Sequence, residues 1–353
     1  MTKRICAALL AAVMLILSFC IMQGCDDGGD EGFFGSCADT GSYPVTIGGV
    51  RIDERPQRVV CISGKLTDII IELGYSKYLV GKPYQYSSQA VSGASECGTN
   101  DQPSLEIIEK LDADLVIADE KLPDESKDAL EELGAIVLKL TTPYDRISFR
   151  GAYSCIGAAL GGAGKGNDRG LKCAESILIQ LDDIERTVSS DPISYVCIFS
   201  DSTLTKYVTG DDITSMCIEL AGGFNVAVEG REGSYTLNGV ARGDPDVILC
   251  PSGSQPLVRS KRILNTCTAM KKNQIYDYTA AKFNSCSSQL VEATWELARL
   301  LHPTIVTAEM LPKNAVDYFV YTSPVMTVEE YETMLSLQAE AESEETFTFT
   351  YED

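Results

Sequence analysis

A strand-and-helix pattern that occurs twice along the chain constrains its fold more than any other feature. An apolar run that leads into Ile-Glu-Leu and a glycine occupies residues 59–74 and recurs, slightly expanded, at 195–222. The motif Asp-Ala-Asp-Leu-Val-Ile at 112–117 likewise recurs as Asp-Pro-Asp-Val-Ile-Leu at 244–249. Both repeats return after about 130 residues, a domain-sized spacing. The sequence therefore predicts two similar lobes.

Short apolar runs alternate with amphipathic segments in the first half of the chain. This alternation is typical of a parallel sheet with helices packed on both faces. We therefore predict an α/β fold of two doubly wound, Rossmann-like lobes with a ligand cleft between them. In the first lobe the predicted strands are 58–63, 78–81, 115–118 and 135–140, and the predicted helices are 67–73, 104–111 and 126–133.

A single long helix is predicted to join the lobes, because apolar residues between Leu171 and Ile184 recur at helical spacing. The glycine-rich segment 161–166 lacks the glycine spacing and the following serine or threonine of a phosphate loop, so we expect a flexible turn there. The predicted organisation is an N-terminal lobe at 45–166, the joining helix at 167–190, a C-terminal lobe at 191–325 and an acidic tail at 326–353.

The N-terminus has the features of a secretory signal. Lys3 and Arg4 precede an almost continuously apolar stretch at 5–22, and Cys25 is followed by an acidic, glycine-rich segment. The Gly-Cys junction resembles a bacterial lipobox. We predict a lipoprotein signal peptide at 1–24, lipidation of Cys25 and a flexible tether at 25–44, which places the protein outside the cytoplasm on the bacterial cell membrane. The alternative is an uncleaved signal anchor, since the apolar stretch is just long enough to span a bilayer.

Charge and histidine content exclude several classes of function. The chain has 51 acidic and 29 basic residues, and its formal net charge of -22 repels nucleic acid. Its one histidine, His302, is too few for zinc sites built on two or three imidazoles, so no metal site is predicted. No Gly-x-Ser-x-Gly motif occurs. We therefore predict that the protein is not an enzyme and holds no permanently bound cofactor.

The order of several short motifs is similar to that of one family of binding proteins. They are Pro-Gln-Arg-Val-Val at 56–60, Thr-Asp-Ile at 67–69, Ser-Leu-Glu at 104–106, Leu-Asp-Ala-Asp-Leu-Val-Ile at 111–117, Glu-Leu-Ala-Gly-Gly-Phe-Asn-Val at 219–226 and Asp-Pro-Asp-Val-Ile-Leu at 244–249. Over about 45–303 the chain resembles the substrate-binding lipoproteins of ABC importers, in the cobalamin, haem and ferric-siderophore binding family with the class III periplasmic-binding-protein fold.

This resemblance implies an extracytoplasmic protein that captures a metal chelate and delivers it to an ABC permease and its ATPase. The expected ligand is a ferric siderophore, a corrinoid or haem, and haem would need a tyrosine as its axial ligand. The protein is expected to be a monomer, tied to the membrane through Cys25. The alternative is a surface lipoprotein that retains the fold and acts as a sensor or as a structural or adhesive module.

Ligands of doubly wound sheets bind outside the carboxyl ends of the strands, and this rule selects the candidate binding residues. The loops at these ends carry four lysines, which would focus positive potential on an anionic ligand group, and five aromatic residues, which would cover a planar or apolar chelate. The lysines are Lys65, Lys82, Lys206 and Lys282, and the aromatic residues are Tyr84, Tyr86, Tyr207, Tyr235 and Phe283.

The resemblance also implies a surface that docks to the permease. In this family one glutamate on each lobe pairs with arginines of the permease. Glu106 matches the first of these positions, whereas the second position is occupied by Asn238. The sequence therefore predicts one docking anchor and leaves the second without its charge.

Overall fold

The computed structural model describes residues 43–278, 283, 285–307 and 310. The first lobe begins with an antiparallel hairpin of β1 (Val45–Ile47) and β2 (Val50–Ile52). It continues into a five-stranded parallel sheet with the order β5-β4-β3-β6-β7. The strands of this sheet are β3 (Val59–Cys61), β4 (Leu79–Lys82), β5 (Ser95–Glu96), β6 (Leu115–Asp119) and β7 (Ile136–Leu140).

Four helices accompany the first sheet: α1 (Gly64–Glu72), α2 (Leu105–Lys110), α3 (Asp124–Glu132) and α4 (Arg146–Gly161). The predicted helices correspond to α1, α2 and α3, and the predicted strands correspond to β3, β4, β6 and β7, apart from their ends. Helix α4, strand β5 and the β1–β2 hairpin were not among the predicted elements. Helix α1 buries Leu66, Ile69 and Ile70, which are spaced three and four residues apart and so share one face of the helix. The α4 helix begins with a capping box, in which Asp145 accepts a hydrogen bond from the Ser148 amide at 2.7 Å.

Helix α5 (Asn167–Val188) occupies the chain between the two sheets. It buries one apolar face and leaves charged residues on the other. The glycine-rich segment before it forms the predicted turn between helices, since α4 ends at Gly161 and the φ of 94° and ψ of 163° at Gly162 are not helical. The π-helical stretch Gly162–Gly166, which was not predicted, then leads into α5. Within the described residues, no helix is long and apolar enough to cross a membrane.

The second lobe has a four-stranded parallel sheet with the order β11-β10-β8-β9. Its strands are β8 (Ser194–Ile198), β9 (Gly223–Asn225), β10 (Val247–Pro251) and β11 (Ile275–Tyr278). Its helices are α6 (Ile213–Leu220), α7 (Leu237–Gly243), α8 (Gln255–Ser260), α9 (Thr268–Lys271) and α10 (Gln289–Leu301).

The sequence repeat corresponds to one structural device used in both lobes. The second aspartate of each Asp-x-Asp motif accepts hydrogen bonds from backbone amides at the start of the neighbouring strand. Asp114 accepts from the Arg58 amide at 3.1 Å, and Asp246 accepts from the Tyr195 amide at 3.1 Å. The strand after each motif then pairs in parallel with that neighbour, β6 with β3 and β10 with β8. The repeat therefore marks the central strand pair of each sheet.

The largest apolar core runs through both lobes. It contains Ile69 of α1, Ile156 of α4, Ile177 of α5 and Leu290 of α10, together with residues of both sheets. Because a packed core deforms little, the two lobes have a firm common base.

Glycines allow α4 and α5 to approach closely within this core. A Cβ added at Gly170 would lie 2.1 Å from the Tyr153 carbonyl oxygen, and one added at Gly157 would lie 2.2 Å from the Gly166 carbonyl oxygen. A larger side chain at either glycine would therefore separate the two helices.

We expect Gly170→Ala to lower the free energy of unfolding by about 1–3 kcal/mol, because overpacking against backbone outweighs the better helix propensity of alanine. Chemical denaturation measures the change. Gly93→Ala is the matched control, since a Cβ at Gly93 meets no atom within 4 Å. Equal stability of Gly170→Ala and the control would show that the contact of the two helices is not tight.

Candidate functional site

A large cleft lies between the two lobes, at the edge where the strands of both sheets end. Its volume is about 1530 Å³, more than the 300–1,000 Å³ of typical small-molecule sites. The first lobe contributes Ser63 after β3, Tyr86 after β4 and Asp119 at the end of β6. The second lobe contributes Ser200 after β8 and Ser285 before α10. The position follows the strand-end rule for ligand sites in such sheets.

An ion pair joins the lobes at the floor of the cleft. Lys65 Nζ at the start of α1 lies 2.8 Å from Asp212 Oδ2, which precedes α6. Their side chains are 15% and 28% exposed. Although burial opposes the charge of both groups, the attraction between them raises the pKa of Lys65 and lowers that of Asp212. Both groups are therefore charged and neutralise each other.

A second connection between the lobes passes through Asp68. Its Oδ1 accepts a hydrogen bond from the Tyr86 hydroxyl at 2.5 Å, and its Oδ2 accepts one from the Cys286 amide at 3.1 Å. Burial raises the pKa of this carboxyl despite both hydrogen bonds. Tyr86 is thereby held against the floor, and burial together with the Asp68 charge raises the pKa of its phenol.

Glu72, the last residue of α1, also lines the cleft and is only 8% exposed. Burial raises its pKa to about 7, while hydrogen bonding with Ser288 acts in the opposite direction. Its Oε1 has no hydrogen-bond partner among the described residues. The floor of the cleft thus holds a carboxyl group that is present in similar amounts in its protonated and ionised forms at neutral pH.

The rim of the cleft is built from polar loops in both lobes. In the first lobe, Asn100 Nδ2 donates to Asp119 Oδ2 at 2.7 Å and the Asp119 amide donates back to Asn100 Oδ1 at 2.9 Å. In the second lobe, Asp211 Oδ2 accepts from the Glu232 amide at 2.7 Å. These contacts hold the strand-end loops in place, so the rim is pre-formed.

The comparisons with known proteins agree with this architecture. No protein-family model matches the chain. The chain is 27% identical over 313 residues to a protein of Bacillus subtilis (strain 168) whose name is "Uncharacterized ABC transporter substrate-binding lipoprotein YvrC"; the match covers 84% of this chain and 96% of that protein.

Two solved structures extend the comparison. A periplasmic haem-binding protein from Pseudomonas aeruginosa has a TM-score of 0.61 and 20% identity, covering 71% of this chain and 94% of its own. The periplasmic vitamin B12-binding protein BtuF of Vibrio cholerae has a TM-score of 0.59 and 16% identity, and the match covers 70% of this chain and 97% of BtuF. This chain has the class III periplasmic-binding-protein fold. The resemblance predicted from the sequence is thereby confirmed.

Four of the nine predicted binding residues line the cleft of this class III fold: Lys65, Tyr86, Lys206 and Tyr207. Tyr207 is buried and packs against Phe199 with ring centroids 5.0 Å apart. Burial raises the pKa of Tyr207 to about 12, which works against its ionisation as an iron ligand.

Four other predicted binding residues do not line the cleft, for different physical reasons. Lys82 Nζ donates to the Tyr86 carbonyl at 3.0 Å and so stabilises a loop. Tyr84 is 57% exposed outside the cleft. Tyr235 packs edge-on against Tyr207 within its own lobe. Phe283 is buried in the core against Tyr278. Lys282, the ninth, lies outside the described residues.

The prediction that four lysines create a positive potential is therefore wrong for the described part of the cleft. Lys65 is neutralised by Asp212, and Lys82 is elsewhere. The sequence reasoning missed the carboxylates that line the cleft, of which Asp119 and Glu120 directly follow a predicted strand. Applying the strand-end rule to acidic residues as well as to lysines would have found them.

The two predicted docking positions are both exposed helix residues outside the cleft. Glu106 lies in the first turn of α2, and Lys110 of the same helix is 2.6 Å away. Asn238 lies in the first turn of α7. An ion pair this exposed contributes little to stability, so Glu106 remains free to exchange partners.

We expect Glu72→Gln to change how stability depends on pH. The folded state holds the Glu72 proton up to about pH 7, whereas the unfolded chain releases it near pH 4.5, so this group lowers stability as the pH rises through that window. Glutamine removes the effect. Relative to wild type, the variant should gain on the order of 3 kcal/mol between pH 4.5 and 7.5 in the free energy of unfolding.

Denaturant unfolding at several pH values measures this difference. Exposed Glu125→Gln on α3 is the control, and its difference from wild type should stay constant. If the difference in the free energy of unfolding between Glu72→Gln and wild type also stays constant across the pH range, then the pKa of Glu72 is not raised in the folded protein and our assignment is wrong.

Proposed function

We propose that the protein is the extracytoplasmic substrate-binding component of an ABC importer. It captures a metal chelate, of the ferric-siderophore, corrinoid or haem class, in the cleft between its lobes and delivers it to a membrane permease and its ATPase. The observation that carries this proposal is the cleft of about 1530 Å³, lined from both lobes. The similarity to an ABC transporter substrate-binding lipoprotein over most of both chains supports it.

The size and lining of the cleft suit capture without chemistry. A volume above that of ordinary drug-sized sites accommodates a macrocyclic or multidentate chelate. Among the described residues, no group of three or more His, Cys, Asp or Glu side chains could hold a bare metal ion. This lining is consistent with our proposal that the metal is captured as part of a chelate.

The contacts at the floor favour small motions. The Lys65–Asp212 pair and the Asp68 bond to Cys286 join the two lobes. The shared core beneath them resists hinge opening. Capture thus takes place in a cleft that is largely formed beforehand.

The N-terminal and C-terminal assignments belong to the same proposal. In this proposal the signal peptide is 1–24, and lipidated Cys25 with the tether 25–44 keeps the protein at the membrane near the permease. The binding unit is a monomer that consists of the lobes 45–166 and 191–325 and the helix 167–190. The tail 326–353, Cys25 and most of the tether lie outside the described residues. The sensor or structural alternative is not favoured, because the protein matched over most of both chains is an ABC transporter substrate-binding lipoprotein.

Ligand capture can be tested with the full chain extracted from membranes in detergent and exposed to medium conditioned by its source cells. Native mass spectrometry should find one metal chelate bound. Ser87→Trp, which places a large ring on the cleft rim, should abolish the adduct, whereas Ser189→Trp after α5 should retain it. An adduct that survives Ser87→Trp, or no adduct at all, would contradict the proposal.

The docking role of Glu106 is tested by uptake of that chelate in intact cells. Glu106→Lys should lower the uptake rate about five- to tenfold, because repulsion replaces attraction at the permease surface, while chelate affinity stays unchanged. Glu125→Lys, on another helix, is the control. Asn238→Glu should raise uptake by supplying the second charge. Normal uptake with Glu106→Lys would show that α2 is not the docking surface.

A further inference from the structure

The charges that line the cleft indicate the chemistry of its ligand. Among the described residues, seven carboxylate side chains and three lysines line it. The carboxylates come from both lobes, with Asp119 and Glu120 on the first and Asp211 and Glu232 on the second. With Asp212 paired to Lys65, six carboxyl groups and two lysines remain, so a ligand in the cleft meets a net negative potential. Burial weakens this potential in part, because it raises the pKa of Asp68, Glu72 and Asp119.

The three lysines do not offset this potential. Lys65 is committed to Asp212 at the floor. Lys121 and Lys206 are exposed on the rim, one on each lobe. Lys206 Nζ also lies 3.3 Å from the Glu232 carbonyl, directed at its own lobe. Solvent screens these two lysines and the equally exposed Glu120 and Glu232 alike. The excess of carboxyl groups therefore comes from the buried or half-buried Asp68, Glu72, Asp119 and Asp211.

Glu72 adds a carboxyl group with an unmet hydrogen-bond acceptor beneath this floor. Its side chain is more than nine-tenths buried in the cleft lining, and its Oε1 has no partner among the described residues. A buried carboxyl oxygen without a donor costs free energy. Because this oxygen is covered by protein, a donor group on a ligand would remove that cost only if the covering side chains move aside.

The neutral part of the lining favours the same ligands. Hydroxyl groups dominate it, including those of Ser63, Ser200, Thr209, Ser285 and Tyr207. Hydroxyls accept hydrogen bonds as readily as they donate them. Together with the carboxylates they form a surface rich in acceptors, suited to amide, ammonium and hydroxyl groups on a ligand.

Resting on the proposed function, we infer that the cleft selects a cationic or neutral metal chelate whose edge donates hydrogen bonds and rejects chelates with anionic edges. A ferric hydroxamate with a free ammonium group or an amide-rimmed corrinoid fits this class. Ferric catecholates and haem, whose propionates are carboxylates, would face like charges. The tyrosines add a second obstacle to haem, because Tyr86 donates its proton to Asp68 and Tyr207 is buried.

Four probes test this selectivity on the full chain in detergent by isothermal titration calorimetry. They are ferrioxamine B as the cationic chelate, cyanocobalamin as the neutral amide-rimmed one, and a ferric tris-catecholate and haemin as the anionic ones. At least one of the first two should bind at least about tenfold more tightly than either anionic probe. The affinity for a cationic probe should also fall as salt rises.

Charge-reversal variants locate the effect. The double variant Glu120→Lys/Glu232→Lys should weaken ferrioxamine B binding about tenfold or more and strengthen catecholate binding. Glu125→Lys/Glu132→Lys on α3 makes the same change in net charge on exposed residues outside the cleft and should alter neither. If the lysine variant unfolds, Glu120→Gln/Glu232→Gln should change the affinities for ferrioxamine B and for the catecholate in the same directions, but by less.

The outcomes separate this inference from the function on which it rests. Equal or tighter binding of an anionic probe by the wild type would overturn the charge selectivity and leave chelate capture intact. Equal effects of the cleft and control variants would also overturn it, because the selectivity would then arise from net charge. Binding of none of the four probes would overturn chelate capture and with it this inference.

Discussion

The ion pair between Lys65 and Asp212 is the constraint on which the cleft depends. It joins the first turn of α1 to the residue before α6, at the place where the two sheets direct their strand ends toward each other. Each charge is too buried to lose its partner without a large penalty. Together with the shared core and the Asp68–Cys286 hydrogen bond, the pair holds the two lobes together at the floor of the cleft. It also occupies the lysine that would otherwise attract an anion.

The charge of the rest of the cleft depends on where the chain places its many acidic side chains. A net charge of -22 would be tolerated on a solvated surface, yet seven of the carboxyl groups in the described residues line the cleft. Hydrogen bonds to backbone and side chains fix the position of some of them, as at Asp68 and Asp119. Glu72 differs because part of its carboxyl group has no such partner among the described residues. The cleft is thus organised to receive donors.

The sequence was sufficient for the architecture and insufficient for the site. Strand alternation and the repeated Asp-x-Asp motif predicted two parallel sheets, because Asp114 and Asp246 act locally through neighbouring backbone amides. The role of Lys65 depends on Asp212, which lies 147 positions away and carries no pattern that relates it to Lys65. The turn predicted at 161–166 is present, but its π-helical stretch, Gly162–Gly166, was missed because glycine permits many backbone conformations and so does not select one of them.

The structure of the protein with its captured chelate tests this account most directly. We predict that the chelate lies between the lobes above Glu72, with its donor groups directed at carboxylates of both lobes and the Lys65–Asp212 pair intact beneath it. A chelate bound outside the cleft, or one whose anionic groups contact Lys121 and Lys206 while the carboxylates turn away, would contradict the account.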